Sequence, residues 1–378
     1  MPDKHAKLSP SGSNIWLNCP PSVRLSERYE DVTTVYAQEG TEAHCLCEYT
    51  LKTALGDKPP DPRPDLKFYD QIMQDAADGY AEMVTEHLLR LKATDPAAQV
   101  FVEEHVDFSE YVPGGFGTSD AIVIGDDEMV VCDFKYGKGV EVSAESNTQL
   151  MCYALGSYLL LGHIFEVSRI LLVIYQPRIS NYSSWEISAS DLMIWAETEL
   201  KPKALLADAG EGEFAAGDWC RFCKARSTCR ERAQKNLEMM RYDFKLPPEL
   251  GDNEVADILT IAEDLETWVK DIREYAVRTL LTGSRIEGWK IVEGRSNRKY
   301  TDESKVAEAV IAAGLDPYVK KILGITDMTA LLGKKKFNEL LGEYVIKPQG
   351  KPVLVRTDDK RPEYDISKTV FSEVDDDE

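Results

Sequence analysis

Residues 117–153 read GTSDAIVIGDDEMVVCDFKYGKGVEVSAESNTQLMCY and contain the pattern that decides the fold. Two apolar runs flank a Gly-Asp-Asp-Glu turn and predict a β-hairpin, which a helix follows. Side chains alternate between the two faces of a strand, so Asp133 and Lys135 point the same way. The turn brings Asp120 level with that pair. Two carboxylates and a lysine on one sheet face suit a divalent-metal and hydrolysis site.

Two further groups of polar residues extend this predicted site. Gln149 and Tyr153 are one helical turn apart on the helix after the hairpin, so both can reach the same cleft. His44 lies just inside another predicted helix with Thr41 as its N-cap, where a neutral imidazole can complete a metal site. Glu103 and Glu104 lie on the strand before the hairpin and are left out of the predicted site. A surface hairpin with scattered charges remains the alternative to each of these features taken singly.

Length and composition narrow the class of protein. The 378 residues leave room for two or more domains, and 43% hydrophobic with 29% charged residues is ordinary for a globular protein. The net charge of −22 argues against adhesion to nucleic acid over the whole surface but leaves room for a local basic groove. No apolar run approaches the roughly 20 residues of a membrane span, and no signal peptide is recognised. We therefore expect a cytoplasmic protein with no membrane partner.

The eight cysteines divide into two groups. Cys220, Cys223 and Cys229 form a close Cys-x2-Cys-x5-Cys set, and Cys19 precedes Pro20 far upstream. In a cytoplasmic chain such clustering indicates metal ligation rather than disulfides, and four thiolates suit zinc as well as an iron–sulfur centre. The rest are interpreted as core residues or as neighbours of the His44 helix: Cys45, Cys47, Cys132 and Cys152.

The order of predicted elements indicates an α/β fold with a mixed central sheet flanked by helices, since adjacent strands are joined by hairpins. Helices are predicted near residues 8–19, 41–55, 66–91, 148–161, 189–207 and 252–282. Strands are predicted at 100–108, in the two arms of the hairpin, and at 169–176 and 183–187. We expect a first domain over 1–244, a smaller helical or α+β region over 245–370, and an acidic tail over 371–378.

Residues 8–232 resemble the RecB-like branch of the PD-(D/E)XK nucleases in five motifs that occur in the family's order. The motifs are LSPSGSNIWLNCP, Gly40-Thr41-Glu42-Ala43-His44, Gly117-Thr118-Ser119-Asp120, Asp133-Phe134-Lys135 and Gln149-x3-Tyr153. The resemblance implies a restriction-endonuclease-like core that binds Mg²⁺ or Mn²⁺. It implies His44, Asp120, Asp133 and the Phe134 carbonyl as metal ligands, and Lys135 as the catalytic lysine. It places Gln149 and Tyr153 beside the active site and the DNA.

The cysteines extend the resemblance to the AddB-like and CRISPR-associated exonuclease relatives. In those proteins one cysteine ahead of the nuclease core joins three behind it to hold a [4Fe–4S] cluster. The resemblance therefore implies Cys19, Cys220, Cys223 and Cys229 as cluster ligands that close a loop of roughly two hundred residues and so remove chain entropy from the unfolded state. A zinc site remains the alternative.

The implied function is a metal-dependent deoxyribonuclease, with exonuclease action favoured. Its expected partners are DNA, as a single strand or a duplex end, and proteins of phage replication or recombination. Two other functions remain open at this stage: a non-catalytic DNA-binding or scaffold protein that keeps the nuclease fold, and a zinc-stabilised protein that binds partners.

Overall fold

A computed structural model describes residues 6–30, 34–237, 252–293, 300–318, 322–346 and 362. The contacts divide the chain into two compact units, Met1–Val292 and Glu293–Glu378. The expected boundary at 244/245 and the acidic tail at 371–378 both lie outside the described residues. The long helix over 252–281 is grouped with the first unit.

The first unit contains nine α-helices and five strands among its described residues, besides short 3-10 and π turns. The helices are α1 (Ser13–Asn18), α2 (Ser22–Ser26), α3 (Val35–Ala54), α4 (Gln71–Lys92), α5 (Thr148–Ser157), α6 (Ala189–Trp195), α7 (Lys201–Ala209), α8 (Arg230–Leu237) and α9 (Asp252–Leu281). The strands are β1 (Gln99–Asp107), β2 (Phe116–Ile124), β3 (Glu128–Phe134), β4 (Arg169–Gln176) and β5 (Asn181–Ser188).

The strands form one five-stranded sheet in the order β1-β2-β3-β4-β5. The β3–β4 pair is parallel, with α5 in the crossover, and the other three pairs are antiparallel. A parallel pair requires such a crossover, whereas the antiparallel neighbours need only short turns. The expected α/β class, a mixed central sheet flanked by helices, is confirmed, and it agrees with a nuclease-like core.

Each face of the sheet packs against its own set of helices. On one face α3 and α4 cover Val123, Val130 and Phe134. On the other, α1, α5, α6 and α7 cover Ile122 and Val131. Successive residues of one strand therefore belong to opposite cores, as the period of two in a β-strand requires. Because both faces are buried, the hairpin strands have near-continuous apolar runs.

The start of α3 differs from the prediction. The helix begins at Val35, and the hydroxyl of Thr34 accepts the backbone N–H of Ala37 at 3.1 Å as its N-cap. Thr41 lies inside the helix and donates its hydroxyl to the Ala37 carbonyl at 3.0 Å, so the predicted cap at Thr41 is wrong. His44 consequently lies well inside the helix, not in its first turn.

The second unit is helical over its described residues. Its helices are α10 (Glu303–Ala312), α11 (Ile325–Leu332) and α12 (Lys334–Leu341). Asp302 caps α10 by accepting the N–H of Lys305 at 3.1 Å. In neither unit does a described helix combine the length and the apolar character needed to cross a bilayer.

Candidate functional site

The first carboxylate of the predicted site closes the open end of the β2–β3 hairpin. The antiparallel ladder ends at the pair Ala121 and Cys132, which leaves Asp120 opposite Asp133. There the backbone N–H of Phe134 donates to Oδ2 of Asp120 at 2.7 Å. The strand alternation thus presents Asp120 and Asp133 together at the end of the hairpin, as predicted from the turn.

His44 reaches this carboxylate from α3. Its Nδ1 lies 3.3 Å from Oδ1 of Asp120, and its ring packs edge-on against Phe134 with centroids 5.4 Å apart. Burial disfavours the imidazolium, but the charge of Asp120 and the hydrogen bond to it outweigh burial and raise the pKa of His44 to about 9. Burial likewise opposes ionisation of Asp120, yet the charge of His44 holds the pKa of that carboxyl below its ordinary value.

Glu103 completes a compact set of three donors. Among the described residues, the one group of three or more metal-binding side chains with all ligand atoms within 4.8 Å is His44, Glu103 and Asp120. Burial, and then the charge of Asp120, raise the pKa of Glu103 to about 7. The prediction left Glu103 out of the site. The sequence feature that could have identified Glu103 is its place on the strand beside β2. Which of Glu103 and Glu104 faces the site depends on the β1–β2 register, and no local sequence pattern fixes that register.

Lys135 connects the other carboxylate to the helix after the hairpin. Its Nζ donates to Oδ1 of Asp133 at 3.2 Å, lies 2.9 Å from Oδ2, and donates to Oε1 of Gln149 at 3.0 Å. Gln149 in turn donates to the hydroxyl of Tyr153 at 3.3 Å. The residues predicted from the hairpin and from α5 therefore form one hydrogen-bonded chain.

The protonation of that chain follows from its charges. Burial opposes the ammonium form, but Asp133 outweighs burial and raises the pKa of Lys135 above its ordinary value. Burial also raises the pKa of Asp133, against the pull of Lys135. Lys135 is therefore a charged donor at neutral pH rather than a base. Oδ2 of Asp133 is buried and is held by the ion pair with Nζ of Lys135 at 2.9 Å, with no further donor among the described residues.

The predicted metal ligands thus occupy two adjacent places. His44 and Asp120 lie in the compact set with Glu103, whereas Asp133 is drawn to the ammonium of Lys135. Phe134 lies between them, with its N–H on Asp120. Carboxylate oxygens are the donors that Mg²⁺ and Mn²⁺ prefer, whereas imidazole is more typical of transition-metal sites. The donor set fits a divalent cation, and the roles of Asp133 and the Phe134 carbonyl as ligands remain predictions.

These residues open onto a cleft of about 460 Å³. Its walls come from α3, β1 and the end of β3: Ala37, Gly40, Thr41, His44, Glu103, Phe134, Lys135 and Tyr136. Gly40 is helical, and a Cβ added there meets nothing within 4 Å. A glycine inside a helix costs roughly 0.5–1 kcal/mol relative to alanine. Here it leaves open space beside the metal-binding set.

The four predicted cysteine ligands line a second cavity in the same unit. Cys19, at the end of α1, meets Cys220, Cys223 and Cys229 there. Burial raises the pKa of Cys19, Cys220 and Cys223 above the ordinary thiol value, so these thiols are neutral without a metal. Cys45 and Cys47 lie elsewhere, on α3, and all eight cysteines are free.

Backbone N–H groups point at the cavity sulfurs. The N–H of Gly217 donates to Sγ of Cys220 at 3.4 Å. Backbone hydrogen bonds from Ala215 and Ala225 stabilise the thiolate forms of Cys19 and Cys223. Such N–H···S contacts are the outer-shell interactions that tune metal–thiolate groups. The donor chemistry therefore fits a metal held by four thiolates.

The dimensions of the cavity bear on the choice between a zinc ion and an iron–sulfur cluster. No three of the four sulfurs lie within 4.8 Å of one another, whereas a tetrahedral zinc site with Zn–S near 2.3 Å has sulfurs about 3.8 Å apart. The cavity itself measures about 10 Å³, which is room for roughly one water molecule or a single ion.

Polar contacts hold the two ends of the core together beside this cavity. Nζ of Lys7 donates to the carboxylate of Asp208 at 3.1 Å, and Arg24 donates to the Asp208 carbonyl at 2.7 Å. The hydroxyls of Tyr29 and Thr228 lie 2.5 Å apart. The region before the sheet therefore packs on the region after it.

A family model described as "Protein of unknown function (DUF2800)" matches residues 5–362 of the chain. Among solved structures, the chain is similar to a protein described as SSO0001, with 16% sequence identity over 51% of this chain and 98% of that one. The TM-score of that match is 0.22, which is too low to equate the two folds.

Proposed function

The chain belongs to the DUF2800 family, whose function is unknown, and we propose that it is a divalent-metal-dependent deoxyribonuclease of the RecB-like PD-(D/E)XK type. One observation carries the proposal: a half-buried lysine, Lys135, is held between Asp133 and Gln149 next to the set His44, Glu103 and Asp120. Phosphodiester hydrolysis requires this combination of a cation site and a fixed positive donor.

The binding of the metal falls to the three-donor set. His44, Glu103 and Asp120 would hold Mg²⁺ or Mn²⁺, and Asp133, in its ion pair with Lys135, lies at the same end of the sheet. When bound, the cation supplies positive charge to the phosphate oxygens and makes water a better nucleophile at neutral pH. The excess of carboxylates at this place otherwise repels DNA, so the cation also makes the cleft compatible with a phosphate.

Lys135 supplies a positive charge that belongs to the protein itself and is present before a metal ion binds. Because Asp133 keeps it an ammonium, its N–H groups donate to the attacking water or to a phosphate oxygen that gains negative charge. Water then forms the new bond to phosphorus as the bond to one sugar oxygen breaks, and the proton that the water loses ends on that sugar oxygen. A phosphomonoester and a free hydroxyl result.

Gln149 and Tyr153 act as positioning residues. Gln149 accepts from Lys135 and donates to Tyr153, so α5 fixes the direction of the ammonium group. Holding a reacting group in one geometry lowers the entropy lost at the transition state. Their motif is also the part of the resemblance that lies beside DNA.

The substrate we propose is a DNA single strand or duplex end, cut as by an exonuclease during phage DNA replication or recombination. Support comes from the open cleft and from the RecB-like motifs. The four cysteines are proposed to hold a [4Fe–4S] cluster, with zinc as the alternative, that staples the two ends of the nuclease core. Support for that part comes from the four thiols, the N–H···S contacts and the polar contacts around Asp208.

The test is digestion of defined single-stranded, blunt and tailed DNA with Mg²⁺ or Mn²⁺, comparing wild type with Lys135→Ala and Asp120→Ala. We expect each variant to lose about 10²–10³-fold in rate. Lys92→Ala and Asp126→Ala, both exposed and outside the cleft, are the matched controls and should keep wild-type rates.

Equal DNA loss in wild type and both site variants would mean a contaminating nuclease. In that case a non-catalytic DNA-binding or scaffold protein becomes the better reading. Anaerobic purification with metal analysis tests the cysteine part separately: iron and sulfide support the cluster, and zinc without iron supports the alternative.

A further inference from the structure

Arg232 is a completely buried arginine in the wall of the cysteine cavity. It lies on α8, just past Cys229, with an exposed side-chain fraction of 0%. It lines the same cavity as Cys19 and Cys220, and its charge favours the thiolate of Cys220. Arginine is rarely buried to this extent unless its charge and all its N–H groups are matched.

Part of the guanidinium is matched by carboxylates of α9. Nη1 donates to Oδ2 of Asp271 at 2.6 Å and to the Arg226 carbonyl at 3.2 Å, and Nη2 donates to Asp264 at 3.4 Å. Arg226 also binds Asp271, through its Nε at 2.9 Å. Two arginines and two aspartates therefore join α9 to the wall of the cavity.

Arg232 also has one nitrogen without an acceptor among the described residues. Its Nε is buried and forms no hydrogen bond with any described residue. Guanidinium N–H groups are donors only, so a buried Nε without an acceptor is unfavourable unless a bound group supplies one. The residue lines a cavity with four thiols, and sulfur is the acceptor that such a bound group would bring.

We propose that Arg232 donates its Nε–H to a sulfur of the metal–thiolate group held by the four cysteines, and that its charge offsets the negative charge of that group. Four thiolates around Zn²⁺ or around a [4Fe–4S]²⁺ core carry two negative charges in excess, so either metal needs a counter-ion. This inference rests on the cysteine part of the proposed function and not on the nuclease site.

This proposal links metal binding to the position of α9. The same guanidinium that contacts the metal–thiolate group binds Asp264 and Asp271, so metal loading also holds the long helix in place. A purely structural arginine that only anchors α9 makes a different prediction, because it leaves metal affinity and the spectrum of the centre unchanged when α9 stays folded.

The experiment uses the full chain, purified anaerobically, with three variants: Arg232→Gln, Arg232→Lys and Asp271→Asn. Iron, zinc and sulfide are measured, and a chelator competition gives metal affinity. Loss of an outer-shell partner typically costs about 10–100-fold in metal affinity, and we expect that loss for Arg232→Gln. Arg232→Lys keeps the charge without the Nε–H and should fall between Arg232→Gln and wild type. If iron is present, Arg232→Gln also shifts the reduction potential of the cluster to more negative values.

Asp271→Asn is the matched control. It weakens the contact to α9 but keeps the Nε–H of Arg232, so metal affinity should stay near wild type while the unfolding temperature falls. A loss of metal in Asp271→Asn as large as in Arg232→Gln overturns the proposal, because Arg232 then acts only through α9.

Two further results would overturn the proposed role of Arg232. Wild-type metal affinity in folded Arg232→Gln, or in Arg232→Lys if the first variant does not fold, overturns the role of Arg232 and leaves the nuclease proposal standing. Wild-type protein that binds neither iron nor zinc overturns this inference and the cysteine part together. DNA digestion with Mg²⁺ by the same preparation shows separately whether the nuclease proposal survives.

Discussion

Glu103 falls opposite Asp120 at the position where the β1–β2 pairing is interrupted, and its backbone is left-handed there, at φ 54°. The register is the same on both sides, since Val102 pairs with Ala121 and Glu104 with Ser119. A left-handed conformation costs a residue with a Cβ about 1–2 kcal/mol. Strain of this kind is found where function requires it, and here it accompanies two carboxylates beside His44.

Replacing Glu103 tests two things separately: its role in metal binding, and the loss of folding stability that its buried charge causes. We expect Glu103→Gln to lose metal-dependent activity by about tenfold or more, as removal of a ligand does, while Glu104→Gln keeps it.

Burial beside Asp120 raises the folded-state pKa of Glu103 to about 7 from 4.5, so its ionisation destabilises the metal-free fold as pH rises through that window. At pH 8 the metal-free variant should therefore be more stable by about 1–3 kcal/mol, and at pH 4 the difference should vanish. Urea unfolding at both pH values measures this, and equal differences at the two would contradict it.

Metal binding should release protons. A bound cation requires neutral imidazole and ionised carboxylates, whereas the metal-free pKa values are about 9 for His44 and about 7 for Glu103. Apparent affinity for Mn²⁺ should therefore rise from pH 7 to pH 9. Calorimetry at pH 7.5 in two buffers of different ionisation enthalpy measures the protons released. His44→Gln should release fewer, and identical heats in both buffers for wild type would refute the expectation.

The contact between Gln149 and Lys135 should affect turnover more than binding. Gln149→Ala removes the acceptor of Lys135 and should lower kcat by roughly tenfold or more at similar KM. Tyr153→Phe removes only the partner of Gln149 and should have a smaller effect in the same direction. Steady-state kinetics on one DNA substrate compare them. A rise in KM with unchanged kcat would assign Gln149 to DNA binding instead.

Gly40 tests whether the cleft beside α3 receives substrate. Nothing lies within 4 Å of a Cβ at this position, so Gly40→Ala should stabilise the helix by about 0.5–1 kcal/mol. Gly40→Leu should project into the cleft and raise the KM for DNA by roughly tenfold, which is about 1.4 kcal/mol of binding. Thermal unfolding and kinetics are measured on both variants. Unchanged KM in the leucine variant would place the DNA elsewhere.

Arg178 holds one edge of the cleft. Its Nη1 donates to Glu39 of α3 at 2.7 Å, and its guanidinium lies 4.3 Å from the ring centroid of Tyr136. The side chain is only 13% exposed, so both contacts are largely desolvated. Arg178→Ala should destabilise the protein by about 1–3 kcal/mol, and a double-mutant cycle with Glu39→Gln should give a coupling of about 1 kcal/mol or more. A coupling near zero would reduce the contact to a surface ion pair.

The parts of the site that the sequence predicts are those fixed by local rules. Strand alternation and a short turn are enough to place Asp120 opposite Asp133, and helical spacing places Gln149 beside Tyr153. The start of α3 differs from the prediction because Thr34 and Thr41 are both residues that favour the N-cap position, and local sequence does not decide between them. Glu103 depends on a register set across the loop between β1 and β2, which involves residues far beyond any local window.

The contact between Lys7 and Asp208 spans 201 residues of chain, and this separation has a consequence during protein synthesis. At about 5–20 residues per second, a ribosome needs roughly 10–40 s to make the intervening segment. For that interval Trp16 and Leu17, which are buried in the finished protein, have no α7 to pack against. The nascent chain therefore exposes an apolar segment until translation is well past the sheet, so the yield of folded protein should depend on chaperones that cover such segments.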